Sequence, residues 1–546
     1  MIFRKQPLGG PIILLFFLLS WKTLAQQTYD VVIYGGTPAG VAAAIQVARV
    51  GQSVVLLEPG KHLGGIMVEG LGGTDIDNHR EFQNSSAVGG LALEFYRRIA
   101  KAYGRADEFE EVLRTKIKKP DIWRFESSVA ERVITDWVAE HKISVAYESL
   151  LLESPEAVSK KGTAIQQIKL TNGKTYRGKI FIDATLEGDL LYRAGVSTAI
   201  GREANSVYNE TKNGIRNVTD HNQFAVNVDP YKTPGDPKSG LIYGVSAEPL
   251  GEPGSGDHRL QAYCFRVCMT NKPENRIPLP KPANYDRKNY ELFERYLKAG
   301  GKLYKPGANL PNQKTDFNGG RDVSHNLNGM NYAYPAGTYQ KRQEVVDYHR
   351  SFTQGLFYFL ANDPEIGRLD PELQKNWSEW GLPKDEFTDN GGWPRIFYVR
   401  DARRMVSDYV ITEHHVKKDK PTPVEDPVAM AYWPPDVHNV RTIVRDGYAY
   451  NEGFVFGGKE WQPLPISYRA LVPKASQCTN LLSASCPSSS HIAYGAIRIE
   501  FTFMAMGQAC GTAAVLANQK RTTVQEVKYT DLKPLLVRQQ QVITIP

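Results

Sequence analysis

The first clear pattern begins at Tyr29. An apolar run, Val31 to Tyr34, leads into a Gly-rich turn, an Ala-rich segment and a second apolar run, Val54 to Leu57. The alternation predicts strand, turn, helix from about Gly40 to Arg49, and strand again. Between Glu126 and Ala184 the pattern predicts a helix over Val129 to Glu140, then strands over Ser144 to Leu152, Ala164 to Leu170 and Thr175 to Asp183. The last two strands meet at Asn172-Gly173, a pair that favours a type I′ hairpin turn. From about 201 to 459 the texture changes to Pro, Gly, Asn and aromatic residues with few clear periods. Within it a long helix is predicted over Thr338 to Leu360 and a shorter one over Arg403 to His414. After 459 the pattern returns to a short strand, Leu481 to Ser483, and a helix, Phe501 to Asn518, rich in Ala and Gly. No internal repeat is visible.

Composition changes this picture little. The chain has 546 residues, 41% hydrophobic and 23% charged, enough for a sizeable core and for two or three domains. The formal charge of +7 carries no dense Lys/Arg block, so nucleic-acid binding is not expected. The N-terminus matters more. Arg4 and Lys5 precede an apolar stretch from Ile12 to Leu19 and a small-residue site, Thr23-Leu24-Ala25. That is the pattern of a cleavable export signal over residues 1–25, which predicts a periplasmic or extracellular protein with no stable membrane insertion. Five cysteines in a chain of this length do not make a disulfide scaffold. No Cys/His grouping has zinc-site spacing, so no metal is expected.

The chemistry lies in the first turn. Gly35-Gly36-Thr37-Pro38-Ala39-Gly40 follows a strand and opens a helix, so the helix N-terminus offers amides and a positive dipole end to a pyrophosphate. Glu58 ends the second strand, 23 positions after Gly35, where a carboxylate accepts hydrogen bonds from the hydroxyls of an adenosine ribose. Thr37 stands where the G-x-G-x-x-G pattern has its middle Gly, and its Cβ narrows the approach to the phosphates. FAD and NAD share this fingerprint.

Further motifs separate the two cofactors. The stretch from Asp30 to Ala44, with Glu58-Pro59 and His62-Leu63-Gly64-Gly65, resembles the FAD-dependent oxidoreductase family of the glutathione-reductase type, in which Thr at the middle Gly position is usual. Ile182-Asp183-Ala184-Thr185-Leu186-Glu187-Gly188-Asp189-Leu190 is a further match, as is Ser490-His491 through Glu500 leading into Gly507-Gln508. Tyr398 to Met405 and Tyr468 to Lys474 are similar to a subgroup often labelled xanthan lyase-like. The resemblance implies an α/β fold with a discontinuous Rossmann-type FAD-binding domain, residues 26–200 and 460–546, and an inserted α+β substrate domain, 201–459. It implies FAD as cofactor, held by the hexad, Glu58, His62, Gly64, Gly65, Asp183, Asp189, Gly507 and Gln508.

In the last helix Gly507, Gly511 and Ala514 share one face. Such a face suits a flat cofactor, with the helix N-terminus aimed at the flavin, or a closely packed neighbour. Oxidising an alcohol or amine needs a proton acceptor, and His491 is the first candidate, His438 the second and His62 the third. Arg498, Arg400, Arg403 and Arg469 are candidates to clamp an anionic or hydroxylated substrate. These features predict hydride transfer between flavin and a small molecule, with an unidentified electron acceptor. The aromatic residues of the insertion, Trp377, Trp380, Trp393, Trp433, Tyr448 and Tyr450 among them, suggest a sugar derivative as substrate. The rival readings are a polysaccharide-active lyase-like protein and a nucleotide-binding module without turnover.

Overall fold

The computed structural model describes Met1 and residues 28–545; the export signal read at 1–25 lies outside the described residues, Met1 aside. Strand β1 (Thr28–Tyr34), helix α1 (Pro38–Arg49), strand β2 (Val54–Leu57) and strand β3 (Ser144–Ala146) form the expected opening. Strands β4 (Val158–Lys161), β5 (Ala164–Lys169) and β6 (Thr175–Asp183) follow. β1, β2, β3 and β6 are parallel, in the order β3-β2-β1-β6. A short strand near the other end of the chain, β7 (Leu481–Ser483), pairs in parallel with the C-terminal end of β6, Leu481 opposite Phe181 and Ser483 opposite Asp183. The N-terminal end of β6 instead pairs antiparallel with β5. The sheet is therefore built from both ends of the chain, as a discontinuous Rossmann-type domain requires.

Alternation along β1 explains its two buried faces. Val31 and Ile33 enter a core shared with α1, while Val32 and Tyr34 enter a second core with Phe181 and Leu481. A long helix, α4 (Glu500–Lys520), preceded by the short α3 (His491–Ile497), packs along α1. Its small residues serve that contact: a Cβ added at Gly507 would lie 2.1 Å from the Ala39 carbonyl oxygen, and one at Gly511 2.8 Å from that of Ala43. The small-residue face meets a helix backbone.

The intervening chain builds a second, aromatic-rich core. It holds a four-stranded sheet, Lys314–Phe317, Val267–Thr270, Gly381–Pro383 and Arg276–Pro278 in that order. The long helix α2 (Tyr339–Asn362) crosses this unit, capped by the Thr338 hydroxyl, which accepts from the Lys341 N–H. Ile411, Val416 and Val428 to Ala431 pack with the first core, ahead of residue 460.

Three local expectations change. No helix spans Arg403 to His414. Arg404–Met405 pairs with Thr198–Ala199, and only Glu413–Val416 is helical. Arg404 is buried between Asp401 (2.8 Å) and Glu203 (2.6 Å), and those ion pairs override local helix propensity. The strand from Ser144 stops at Ala146, and Glu148 takes a positive φ of 51°. At the Asn172-Gly173 turn only Gly173 has positive φ, 82°, whereas a type I′ turn needs it at both residues. The Leu170 N–H donates to the Lys174 carbonyl (2.9 Å), closing a longer loop. Among the described residues no single helix is long and apolar enough to cross a membrane.

The α1–α4 contact yields a direct test. Gly507→Ala forces its Cβ against backbone and is expected to lower stability by about 1–3 kcal/mol. Gly307→Ala, whose added Cβ meets nothing within 4 Å, is expected to stay within about 0.5 kcal/mol. Thermal or denaturant unfolding of the two variants measures the difference.

Candidate functional site

The hexad forms a tight cradle at the end of β1. Gly35 adopts φ 106°, and a Cβ there would lie 2.9 Å from Ala184 and Thr185 atoms. A Cβ at Gly36 would meet the Leu63 side chain at 2.5 Å, and one at Gly40 would meet the Gly35 carbonyl oxygen at 1.9 Å. These contacts hold the first turn of α1 against the strand. Thr37 caps that turn. Its hydroxyl donates to the Ala184 carbonyl (2.6 Å) and accepts from the Gly40 N–H (3.3 Å). The Thr in place of the middle Gly thus ties α1 to the loop after β6.

In front of this turn opens a cavity of about 500 Å³, within the usual size range of small-molecule sites. Gly35, Thr37, Pro38, Glu58, His62 and Gly65 line its first end. Arg498, Glu500 and Phe503 also line it, as do Arg350, Arg395, Phe397, Tyr398 and Arg400 of the inserted unit. The cavity therefore lies between the two units. Glu58 accepts from the Gly36 N–H (2.7 Å) and the Gly60 N–H (2.5 Å). Burial nevertheless pushes its carboxyl up to about 7, against the lowering effect of those two bonds.

A chain of charges joins the units at the cavity edge. His62 sits with Glu131 through Nδ1 and 3.1 Å from Asp389 through Nε2. Arg395 pairs with Asp389 at 2.6 Å and with Glu69 at 3.1 Å. Burial raises Glu69 to about 7, opposed by Arg395. Elsewhere on the wall, Arg498 donates to the Tyr398 hydroxyl (3.2 Å) and to the Asp436 carbonyl (2.6 Å). Glu500 occupies the first turn of α4, and burial pushes its carboxyl up to about 7.

Other expected site residues stand behind the wall. Gly36, Ala39, Gly40, Gly64, Gly507 and Gln508 shape the backbone without lining the cavity; Gln508 accepts from the Leu91 N–H (2.7 Å). Asp183 accepts from the Thr185 and Leu191 N–H groups at 3.0 and 2.9 Å. Asp189 is gripped by Arg342 at 2.6 and 2.7 Å and by Arg403 at 2.9 Å. His491 is 1% exposed and does not line the cavity. Its Nδ1 lies 2.6 Å from Asp401, and its Nε2 has no hydrogen-bond partner among the described residues. His438 is buried next to Asn326, and burial together with Arg400 and Arg498 holds its pKa well below the usual range. Arg469 pairs with Asp426 at 3.3 Å. Trp377, Trp380, Trp393 and Trp433 pack in the cores, so their abundance says nothing about a sugar. Glu69, Glu187, Arg350, Arg395 and Glu500 are wall residues that sequence patterns did not single out as site residues.

A glycine-cradled helix N-terminus, a strand-end glutamate and a long cavity at the sheet's C-terminal edge define a dinucleotide-binding class of protein. The chain belongs to the FAD dependent oxidoreductase family, whose model matches residues 30–536. No curated protein is a significant match. Among solved structures it is similar to the bacillithiol disulfide reductase Bdr (YpdA) from Staphylococcus aureus, with 16% identity over 29% of this chain and 39% of that one, TM-score 0.19. It is also similar to L-proline dehydrogenase from P. horikoshii, with 15% identity over 33% and 59%, TM-score 0.22. The L-amino acid deaminase from Proteus vulgaris gives 14% over 32% and 53%, TM-score 0.22. The chain spans less than two thirds of the length of each.

The residues present fit FAD. The cradle has no room for a side chain at Gly35, Gly36 or Gly40, which leaves the backbone of the turn and the N-terminal end of α1 to face a pyrophosphate, Thr37 supplying an N–H and Pro38, at the first helical position, supplying none. Glu58 stands where ribose hydroxyls would donate to it. Those donors stabilise its ionised form, so binding lowers a carboxyl that burial holds at about 7. By linkage, FAD affinity should rise with pH below about 7, by at most about tenfold per pH unit, and flatten above it. Glu58→Gln should weaken binding and remove the pH dependence. Titration of FAD into apoprotein between pH 5 and 8, followed by flavin fluorescence, measures both.

Proposed function

We propose that the cavity supports hydride transfer between a small substrate and the flavin, with Glu500 accepting the substrate's proton. Bound FAD supplies a two-electron acceptor for a C–H hydride. The residues of the cavity wall manage the proton and the orientation. The observation that carries the reading is the position of Glu500, a carboxyl on the cavity wall whose burial raises it to about 7. A group poised there ionises near neutral pH and can take a proton from an alcohol or amine. Arg498 lies two residues away and holds the Tyr398 hydroxyl, which places a donor beside the same wall. Export belongs to this reading on the strength of the N-terminal pattern alone.

A second reading has its own support. The Asp401–His491 pair has the geometry of an oriented base, and His491 Nε2 is buried without a hydrogen-bond partner among the described residues. The two are separable by anaerobic stopped-flow reduction, measured per bound flavin, once a panel of alcohols, amines and acids has supplied a donor. If Glu500 is the base, the rate rises with pH through about 7, because only the ionised carboxylate accepts a proton. Glu500→Gln then slows reduction by about 10²- to 10⁴-fold and abolishes the rise, while His491→Ala mainly lowers thermal stability. The reverse pattern assigns the proton to His491. A flavin bleached by no donor in the panel would sink the hydride-transfer reading.

A further inference from the structure

We propose that Arg350 and Arg400 form an oxyanion-binding subsite in the cavity, and that the substrate is a small organic acid held by its carboxylate. This rests on the hydride-transfer reading above and names its substrate class. Four arginines stand on the cavity wall, and two of them have carboxylate partners: Arg395 pairs with Glu69 and Asp389, and Arg498 with Asp436. The other two differ. Among the described residues the Arg350 side chain makes no hydrogen bond or ion pair, although it lines the cavity and its Nε is buried. Its guanidinium lies 5.9 Å from the centre of the Phe265 ring. Arg400 is 1% exposed, and it too has a buried Nε without a partner. Its remaining donors go to the Asn326 and Asn318 side chains (both 3.1 Å), the Gly319 carbonyl (3.2 Å), the Ala262 carbonyl and the Cys264 sulfur (3.2 Å). None of these is a carboxylate.

A guanidinium presents five donors and stays protonated in proteins. Arg350 is partly buried: its Nε is shut off from water with no acceptor, at a cost in free energy, while its terminal nitrogens are not among the buried unpartnered atoms and stay available to a ligand on the cavity side. Burial accordingly lowers its pKa, opposed by the charge of Asp347. A ligand oxyanion supplies the missing acceptors, and a planar carboxylate matches the guanidinium fork. The FAD pyrophosphate is the other anion bound for this cavity, but α1 already offers it a helix N-terminus and the Gly-rich turn. Arg350 belongs instead to α2 of the inserted unit, and it lines the cavity with Phe397. Thus the flavin-side unit serves the cofactor's anion and the inserted unit serves the substrate's. Arg400 also lowers the Cys264 thiol: burial works against ionisation there, yet Arg400 and His325 bring it down to about 6. Both terminal nitrogens of Arg400 already donate to protein acceptors, which leaves Arg350 as the dominant anion-seeking group.

The test uses holoenzyme as purified, with lactate and gluconate as acidic probes and propane-1,2-diol and glucose as their neutral counterparts. Binding is read by calorimetry and by perturbation of the flavin absorption spectrum. The expected result is that the acids bind and the neutral probes do not, that Arg350→Gln weakens acid binding by about 10- to 100-fold, and that FAD content stays at the parent level. Arg350→Lys should recover part of the affinity. Arg400 holds several backbone carbonyls, so Arg400→Lys is the informative change there, with a smaller loss expected. Neutral probes binding as well as the acids would overturn the proposal. So would an Arg350→Gln protein that loses FAD while its loaded fraction binds acids normally, since that outcome assigns the arginine to the pyrophosphate. Anaerobic reduction separates the two readings. Arg350-dependent acid binding with no bleaching by any donor keeps the oxyanion subsite and removes hydride transfer. Bleaching by neutral alcohols, indifferent to Arg350→Gln, keeps hydride transfer and removes the subsite.

Discussion

The structure depends on how closely two helix backbones approach. Helix α1 carries the turn that faces a pyrophosphate, and α4 carries Glu500 in its first turn. Gly507 and Gly511 let α4 lie where any side chain at those positions would press on the carbonyl oxygens of Ala39 and Ala43. The same closeness recurs at Gly40 against Gly35, which holds α1 on its strand. Because both contacts are backbone against side-chain-free backbone, close packing sets the relation between the phosphate end of the cavity and Glu500. Glycine here is a packing device, and the chemistry inherits its precision from it.

Between the two units the interface is charged and buried. Lys314 of the inserted sheet stands among Glu126, Asp385 and Glu386 at 2.7 to 2.8 Å. Arg342 of α2 reaches Asp189 after β6, and Arg395 reaches Glu69. Removing one member of such a set leaves an uncompensated buried charge, so each pair specifies how the units meet more than it adds net stability. Against that background a wall arginine with no acceptor is conspicuous. Its side chain has the Phe265 ring beside it and no counter-charge in an ion pair among the described residues, so an acceptor from a ligand is the partner it lacks.

The dinucleotide-binding start was legible in the sequence because its parts are local. Strand, hexad, helix and Glu58 fall within about 30 residues, and the backbone itself brings them into register. The long helix α2 was legible for the same reason, since Thr338 and the residues after it make their own cap. The segment from Arg403 to His414 was misread as helix because Arg404 is drawn into ion pairs with Asp401 and with Glu203, the latter 201 positions away, and such partners do not appear in local periodicity.

By itself, then, the sequence determined the class of fold and the expected phosphate turn through short-range geometry, and the cofactor through the resemblance of motifs spread along the chain to a flavoprotein family. Tertiary structure alone decided which ionisable groups reach the cavity. Glu500, Arg350 and Arg400 lie on its wall, whereas His491 and Asp189 are turned into buried pairs with Asp401 and Arg342. The reason is physical. A side chain's charge, exposure and partners depend on segments one to several hundred residues away, and no local pattern records which of two neighbouring polar residues finds a counter-charge and which is left facing a ligand.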